Sequence, residues 1–121
     1  MTVLVVEDEE NDFKLASRIL THEGHRILGA RSAEEAIDLL ARAKELPEVI
    51  LTDLLLPWMD GLAFTRRMKA DPKTAAIPVA AMTSHLAEYS SEAVNSAGFS
   101  LILPKPVSGR TLPQLLGALI L

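Results

Sequence analysis

Apolar segments of strand length alternate with helical patterns along the whole chain. The strands are mostly aliphatic, and they are predicted over 2–6, 26–30, 48–53, 77–82 and 101–103. Helices are predicted over 11–22, from a capping box that begins at Ser32, over 61–70, over 86–97, and in a last segment that ends at Leu121. Because consecutive parallel strands need a crossover connection, strict alternation predicts an α/β fold in which helices cover both faces of a parallel sheet.

A proline places the start of the last helix. With Ser108 as the N-cap, Pro113 would lie beyond the first turn and remove a backbone hydrogen bond. With Thr111 as the N-cap, Pro113 is the second helical residue, whose N–H has no partner within a helix. The sequence therefore predicts a short final helix that begins after Thr111.

Composition narrows the class of protein. A chain of 121 residues fits one domain spanning 1–121, and no apolar run approaches the ~20 residues of a membrane span. The absence of cysteine excludes disulfides, thiolate metal ligands and cysteine nucleophiles. The net charge of -4 provides no basic surface for nucleic acid, and Arg66, Arg67 and Lys69 are expected to form only a small solvated face. With no basic leader at the N-terminus, we expect a cytoplasmic protein.

Four of the five predicted strands end at charged or hydroxyl-bearing residues. These residues are Glu7 and Asp8 after the first strand, Asp53 at the end of the third, Thr83 and Ser84 after the fourth, and Lys105 after the fifth. In doubly wound sheets, ligands bind beyond the carboxyl ends of the strands. The sequence therefore predicts a functional site at this edge of the sheet.

The residue types at these strand ends suit phosphoryl chemistry. If the first and third strands are neighbours, Glu7, Asp8 and Asp53 bring three carboxylates together, and like charges at about 4 Å repel by roughly 1 to 4 kcal/mol per pair. Oxygen ligands of this kind suit Mg²⁺. A carboxylate beside a metal and the Lys105 ammonium can attack phosphorus and form an aspartyl phosphate.

Four motifs in order resemble those of the response-regulator receiver domains of two-component signalling. They are Val6-Glu7-Asp8, Asp53 followed by Pro57 and Asp60-Gly61, Ala81-Met82-Thr83-Ser84, and Pro104-Lys105-Pro106. The resemblance covers nearly the whole chain. It implies the flavodoxin-like fold of chemotaxis regulators, a doubly wound five-stranded parallel sheet with strand order 2-1-3-4-5 and five helices.

The resemblance also implies a role for each site residue. Asp53 is the expected phosphoacceptor, and Thr83 and Lys105 are expected to contact the phosphoryl oxygens. Mg²⁺, with Mn²⁺ as the alternative ion, is expected to bind Asp8, Asp53 and the backbone carbonyl of Leu55, with Glu7 acting through a water. The Lys105–Pro106 peptide bond is expected to be cis.

The implied function is a phosphorylation-dependent switch. A histidine kinase or histidine phosphotransfer protein donates the phosphoryl group, and a downstream protein target reads the result on the face formed by the fourth and fifth helices. The chain is expected to be an enzyme only in catalysing its own phosphorylation and dephosphorylation. The resemblance departs at Ile102, where receivers usually have a tyrosine or phenylalanine ring that turns inward on activation.

Other residues near the predicted site have two readings. Leu55 and His85 hold positions that tune phosphate lifetime in the family, and the small Ser84 leaves access open. His85 is equally compatible with a solvated residue in the first turn of the fourth helix. Trp58, the one tryptophan, is either a partner contact or locally packed.

Two alternatives to the switch share its fold. A metal-dependent phosphohydrolase usually needs a second acid two residues after its nucleophile, where this chain has Leu55. A receiver-like scaffold that is not phosphorylated usually lacks the acid pair, the acceptor or the lysine, and all of these are present. Both a stand-alone receiver and a part of a longer protein fit the sequence.

Overall fold

The computed structural model describes residues 1–119, which form five strands and five helices in alternation. The strands are β1 (Thr2–Val6), β2 (Arg26–Ala30), β3 (Val49–Asp53), β4 (Val79–Thr83) and β5 (Leu101–Pro104). The helices are α1 (Glu10–His22), α2 (Ala33–Arg42), α3 (Gly61–Ala70), α4 (Ser91–Ala97) and α5 (Leu112–Ala118). A 3₁₀ turn over Leu86–Glu88 precedes α4. Within the described residues, no helix has both the length and the apolar character of a membrane span.

All neighbouring strands pair in parallel, in the order β2-β1-β3-β4-β5. The register aligns their carboxyl ends, since Val6 pairs with Thr52 and Asp53 pairs with Met82. Both the α/β class and the predicted strand order are confirmed. The strand ends that carry polar residues therefore lie along one edge of the sheet.

Apolar residues of the central strands point alternately to two layers of core. Leu4 and Ile50 face one side, where they pack with Phe64 of α3 and with α2. Val3 and Leu51 face the other side, against α1 and α5. Helices on both faces explain why the central strands are apolar throughout rather than alternating with polar residues.

Helix starts follow the predicted caps. Ser32 Oγ accepts a hydrogen bond of 3.1 Å from Glu35 N, as the capping box requires. In a full capping box, the glutamate side chain also accepts a hydrogen bond from the backbone N–H of the cap residue, Ser32. Here Glu35 Oε2 accepts from Arg31 N instead. At the other end of the chain, Thr111 is the N-cap of α5 and Pro113 lies in its first turn, as predicted.

The helix predicted over 86–97 is wrong in its first half. After the 3₁₀ turn, Tyr89 is extended and Ser90 is the N-cap of α4, with its Oγ accepting a 3.0 Å hydrogen bond from Ala93 N. A serine hydroxyl that caps a new helix competes with continuation of the preceding turn, and this explains the break.

Smaller differences occur at other element ends. β4 begins at Val79 rather than Ile77, because Ile77 N bonds to Thr74 O and Pro78 has no N–H to offer the sheet. β5 extends to Pro104, and α5 ends at Ala118. The part of the final helix predicted over 120–121 lies outside the described residues.

Lys69 is not the solvated residue that the sequence suggested. Its Nζ donates to the carbonyl oxygens of Ile77, at 2.6 Å, and Ala75, at 3.2 Å, and burial lowers the pKa of this lysine. Its aliphatic stem lies against Gly98, which ends α4 in a left-handed conformation with φ of 107°. A Cβ at Gly98 would stand 2.9 Å from Lys69 Cγ, so this position requires glycine for both its backbone and its space.

Candidate functional site

Asp53 is the last residue of β3, and both of its carboxylate oxygens are engaged. The residue is 3% exposed. Its Oδ1 accepts a 3.2 Å hydrogen bond from Leu55 N, and its Oδ2 accepts one of 2.7 Å from the Lys105 ammonium. A buried carboxylate is stable only with such partners. The fold therefore holds the Asp53 side chain in one position at the carboxyl edge of the sheet.

The loop from β3 to α3 approaches the Asp53 backbone closely. Gly61 N donates to Leu54 O at 2.8 Å, and Asp60 Oδ1 caps α3 by accepting from Ala63 N at 2.8 Å. A Cβ at Gly61 would lie 2.1 Å from the carbonyl oxygen of Asp53, so no other residue fits without moving the backbone. Asp60-Gly61 thus fixes the path of the loop around Asp53.

Trp58 lies in the same loop, 86% exposed and with a positive φ of 63°. Local packing of its ring, one of the two readings of the sequence, is wrong.

Glu7, Asp8 and Asp53 form the predicted cluster of carboxylates. One oxygen from each lies within 4.8 Å of the others. Asp8 is exposed, whereas Glu7 is fully buried at the end of β1. Burial raises the pKa of Glu7 to about 7; Lys105 opposes this rise, and the charge of Asp53 adds to it.

Lys105 is the cation that pairs with Glu7 and Asp53 of this cluster, and also with Asp12. Its ammonium bonds to Asp53 Oδ2, as above, to Asp12 Oδ2 at 2.9 Å, and it forms an ion pair with Glu7 Oε1. Burial opposes its charge, but the bonds to Asp53, Glu7 and Asp12 outweigh that cost and raise the pKa of Lys105 above its ordinary value. The Lys105–Pro106 peptide bond is cis, as the resemblance implies.

The sequence prediction missed Asp12, which lies in the first turn of α1 rather than at a strand end. No sequence signal singled it out, because it is one of two acids in the first turn of α1, where acidic residues are common. Lys105 therefore balances Asp12 as well as Glu7 and Asp53, the two of its partners that come from strand ends.

Thr83, at the end of β4, lies beside this cluster and is buried. Its Oγ1 accepts a 2.9 Å hydrogen bond from His85 N, and its carbonyl accepts one of 3.1 Å from Lys105 N. His85 precedes the 3₁₀ turn, where its Nδ1 pairs with Glu88 Oε2 at 2.6 Å. His85 is therefore a partly exposed, paired residue at the start of the β4–α4 connection rather than a helical one.

A cleft of about 400 Å³ opens above Asp53. The predicted site residues that line it are Asp8, Asp53, Leu55, Ser84, His85 and Lys105. Ile102 instead packs against the apolar layer formed by Leu54, Leu62, Ala81, Val94 and Ala97. The structure thus brings these six predicted residues to one cleft, whereas Glu7 and Thr83 are buried outside its lining and Ile102 lies behind it.

The acidic side of the cleft fits a hard divalent cation. Glu7 is buried, and its Oε1 forms the ion pair with Lys105 described above. Carboxylate oxygens from three residues are available within a few ångströms, and the exposed side of Asp8 leaves room for water ligands. Such a donor set, with no nitrogen or sulfur, suits Mg²⁺.

Comparison with known proteins agrees with this geometry. Residues 3–117 match the family model described as the response regulator receiver domain. The polar-differentiation response regulator DivK of Brucella ovis is 35% identical over 107 residues, which are 88% of this chain and 85% of that protein.

Solved structures show the same fold. The receiver domain of a sensor histidine kinase from Pseudomonas aeruginosa, with a magnesium ion coordinated in its active site cleft, superposes with a TM-score of 0.88. It is 26% identical, and the match covers 98% of this chain and 96% of that one. Chemotaxis response regulator CheY4 of Vibrio cholerae, 23% identical, superposes with a TM-score of 0.86 over 98% of this chain and 97% of its own. The chain belongs to the response regulator receiver domain family of two-component signalling.

Proposed function

We propose that this chain is a phosphorylation-dependent switch, a single receiver domain over 1–121, in which Asp53 accepts the phosphoryl group. The observation that carries the proposal is the environment of Asp53. Its carboxylate faces an open cleft, is bonded to the Lys105 ammonium and lies within a cluster of three acids. A carboxyl group that is held by hydrogen bonds and accessible from one side has the properties of a positioned nucleophile.

The transfer is a single displacement at phosphorus. An oxygen of the Asp53 carboxylate forms the new O–P bond, while the bond from phosphorus to the donor breaks and the donor keeps its electron pair. With a phosphohistidine donor, the leaving imidazole nitrogen takes up a proton; with acetyl phosphate, acetate leaves. Lys105 lies 2.7 Å from the acceptor oxygen and offsets the negative charge that gathers on the phosphoryl oxygens, and the Thr83 hydroxyl donates to one of them.

Mg²⁺, or Mn²⁺ in its place, would be held by Asp8, Asp53 and the Leu55 carbonyl, with Glu7 acting through a water. When bound, the ion supplies positive charge that offsets repulsion between these carboxylates and the incoming phosphoryl group. One feature of the chain supports this assignment: oxygens of the three acids lie close enough to share one ion. Leu55 and His85 line the cleft and would govern how water reaches the phosphorylated aspartate.

Phosphorylation would then change the affinity for a downstream protein. The donor would be a histidine kinase or histidine phosphotransfer protein in the cytoplasm, and the reading surface would be the α4–α5 face. Catalysis would be limited to the chain's own phosphorylation and dephosphorylation. Leu55, where a phosphohydrolase needs its second acid, is an exposed apolar residue, so no observation favours sustained turnover.

The test is phosphorylation by acetyl phosphate. The protein is incubated with Mg²⁺ and acetyl phosphate, and intact mass spectrometry measures a hydroxylamine-labile phosphoryl adduct. We expect one adduct in the native protein and none in Asp53→Asn. The matched control is Asp38→Asn, which removes an exposed acid on α2 that pairs with Arg42. Absence of the adduct, or its persistence in Asp53→Asn, would overturn the assignment of Asp53.

A further inference from the structure

A short path of hydrogen bonds connects the candidate phosphorylation site to the start of α4. Thr83 Oγ1 accepts from His85 N, as described above, and the His85 carbonyl accepts from Glu88 N at 3.0 Å. Tyr89 N then bonds to Leu86 O at 3.1 Å and closes the 3₁₀ turn. The next residue, Ser90, is the N-cap of α4. These bonds give a movement of Thr83 a direct route to Tyr89 within one turn of chain.

Tyr89 is the single tyrosine of the chain, and its side chain has two different surroundings. Its ring is half-buried and packs on the same apolar layer as Ile102, the layer formed by Leu54, Leu62, Ala81, Val94 and Ala97. Burial raises the pKa of its hydroxyl, and the charges of Asp60, Asp53 and Glu88 raise it further. The ring thus belongs to the layer beneath α4, while the hydroxyl senses the carboxylates of the site.

We propose that Tyr89 couples the phosphorylation state of Asp53 to α4, providing from the β4–α4 connection the aromatic ring that β5 lacks at Ile102. The proposal rests on the proposed function, because it needs a phosphoryl group on Asp53. It goes beyond that function by naming the residue through which the change leaves the site.

Two physical effects act on Tyr89 when Asp53 is phosphorylated. The Thr83 hydroxyl turns to donate to a phosphoryl oxygen, which weakens the bond that it accepts from His85 N and releases the 3₁₀ turn. The phosphoryl group also adds negative charge to a site whose field already reaches the Tyr89 hydroxyl, and a neutral O–H donor is drawn toward such charge. Both effects move the ring against the apolar layer beneath α4.

A single fluorine reports on this residue. Protein made with 3-fluorotyrosine carries one fluorine-bearing side chain, at Tyr89, and gives one ¹⁹F resonance. Acetyl phosphate and Mg²⁺ are added, and intact mass measures the phosphorylated fraction in the same sample. We expect a shifted resonance whose intensity follows that fraction, and no shift in Asp53→Asn. A phosphorylated protein with an unchanged resonance would overturn the proposal, and a protein that forms no adduct would overturn the proposed function as well.

Substitution separates coupling from simple packing. Amide hydrogen exchange over 86–94 is measured with and without acetyl phosphate, in variants whose adduct is confirmed by mass. In Tyr89→Ala we expect the phosphorylation-dependent change in exchange to be lost, whereas Tyr89→Phe, which keeps the ring, retains most of it. In the double variant Tyr89→Ala/Ile102→Tyr, a restored change in hydrogen exchange would support the inference that a ring at either position can do the coupling. A Tyr89→Ala protein that responds to phosphorylation as the native protein does would refute the coupling role.

Discussion

Replacing Glu7 by glutamine should make the metal-free protein more stable at neutral and alkaline pH. Glu7 is fully buried, and its folded-state pKa of about 7 lies above the ordinary value of 4.5 for a glutamate in water. Between these values the folded protein keeps a proton that the unfolded chain has released, so this group lowers stability as pH rises from 4.5 to 7. At pH 8 the full cost is about 3 kcal/mol, and below pH 4.5 it disappears.

The assay compares native protein and Glu7→Gln by urea denaturation in EDTA at a series of pH values from 5 to 8. Far-UV circular dichroism is the suitable probe, because Trp58 is already exposed in the folded protein. Taking the difference between the two proteins removes the titration of the three histidines, which both share. We expect Glu7→Gln to gain about 3 kcal/mol over native protein across this range. If the free energies of unfolding of the two proteins change in parallel with pH, the argument that burial of Glu7 opposes its ionisation is refuted.

Three other substitutions test the packing around the site and the helix starts. Gly61→Ala should lower stability by about 1–3 kcal/mol, because the new Cβ would meet the rigid backbone of Asp53 at 2.1 Å; an unchanged urea midpoint would contradict this. Ser32→Ala should cost about 1 kcal/mol in the same assay by removing the cap bonded to Glu35 N, and Ser32→Asn, which can cap as well, should restore it. Lys105→Met should cost about 3 kcal/mol or more in EDTA, because it leaves its carboxylate partners unpaired, and Mg²⁺ should recover part of the loss; equal stability with and without Mg²⁺ would argue against a metal site.

The sheet and its functional edge were predictable because they depend on local patterns. Aliphatic strands alternate with capped helices, and parallel strands must bring their carboxyl ends to one edge. Placing Asp53, Asp8 and Lys105 together needed no more than this rule and the positions at which three strands end. Gly61 was recognised as the start of α3, but its closeness to the Asp53 backbone is a three-dimensional fact that the sequence does not express.

Other features of the site could not be predicted from the sequence, because they depend on how helices and strands pack and on which side chains that packing excludes from water. Asp12 does not lie at a strand end, and only the packing of α1 against the sheet brings it to Lys105. Glu7 was predicted to act on a metal through water, but its complete burial follows from the packing of neighbouring elements. Tyr89 was hidden because the segment over 86–97 reads as one helix until Ser90 is seen to cap a second one.

The contact between Lys69 and Gly98 has a mechanical consequence for α4. It holds the carboxyl end of this helix against α3 and against the segment that leads into β4. The amino end of the helix instead follows the 3₁₀ turn. The helix can therefore tilt about a fixed point, or pivot, at Gly98. Its seven residues span about 10 Å, so a tilt of roughly 10° would displace the Ser90 end by about 2 Å and leave the pivot in place. A partner that distinguishes two states of this protein would find the greater difference at the Ser90 end.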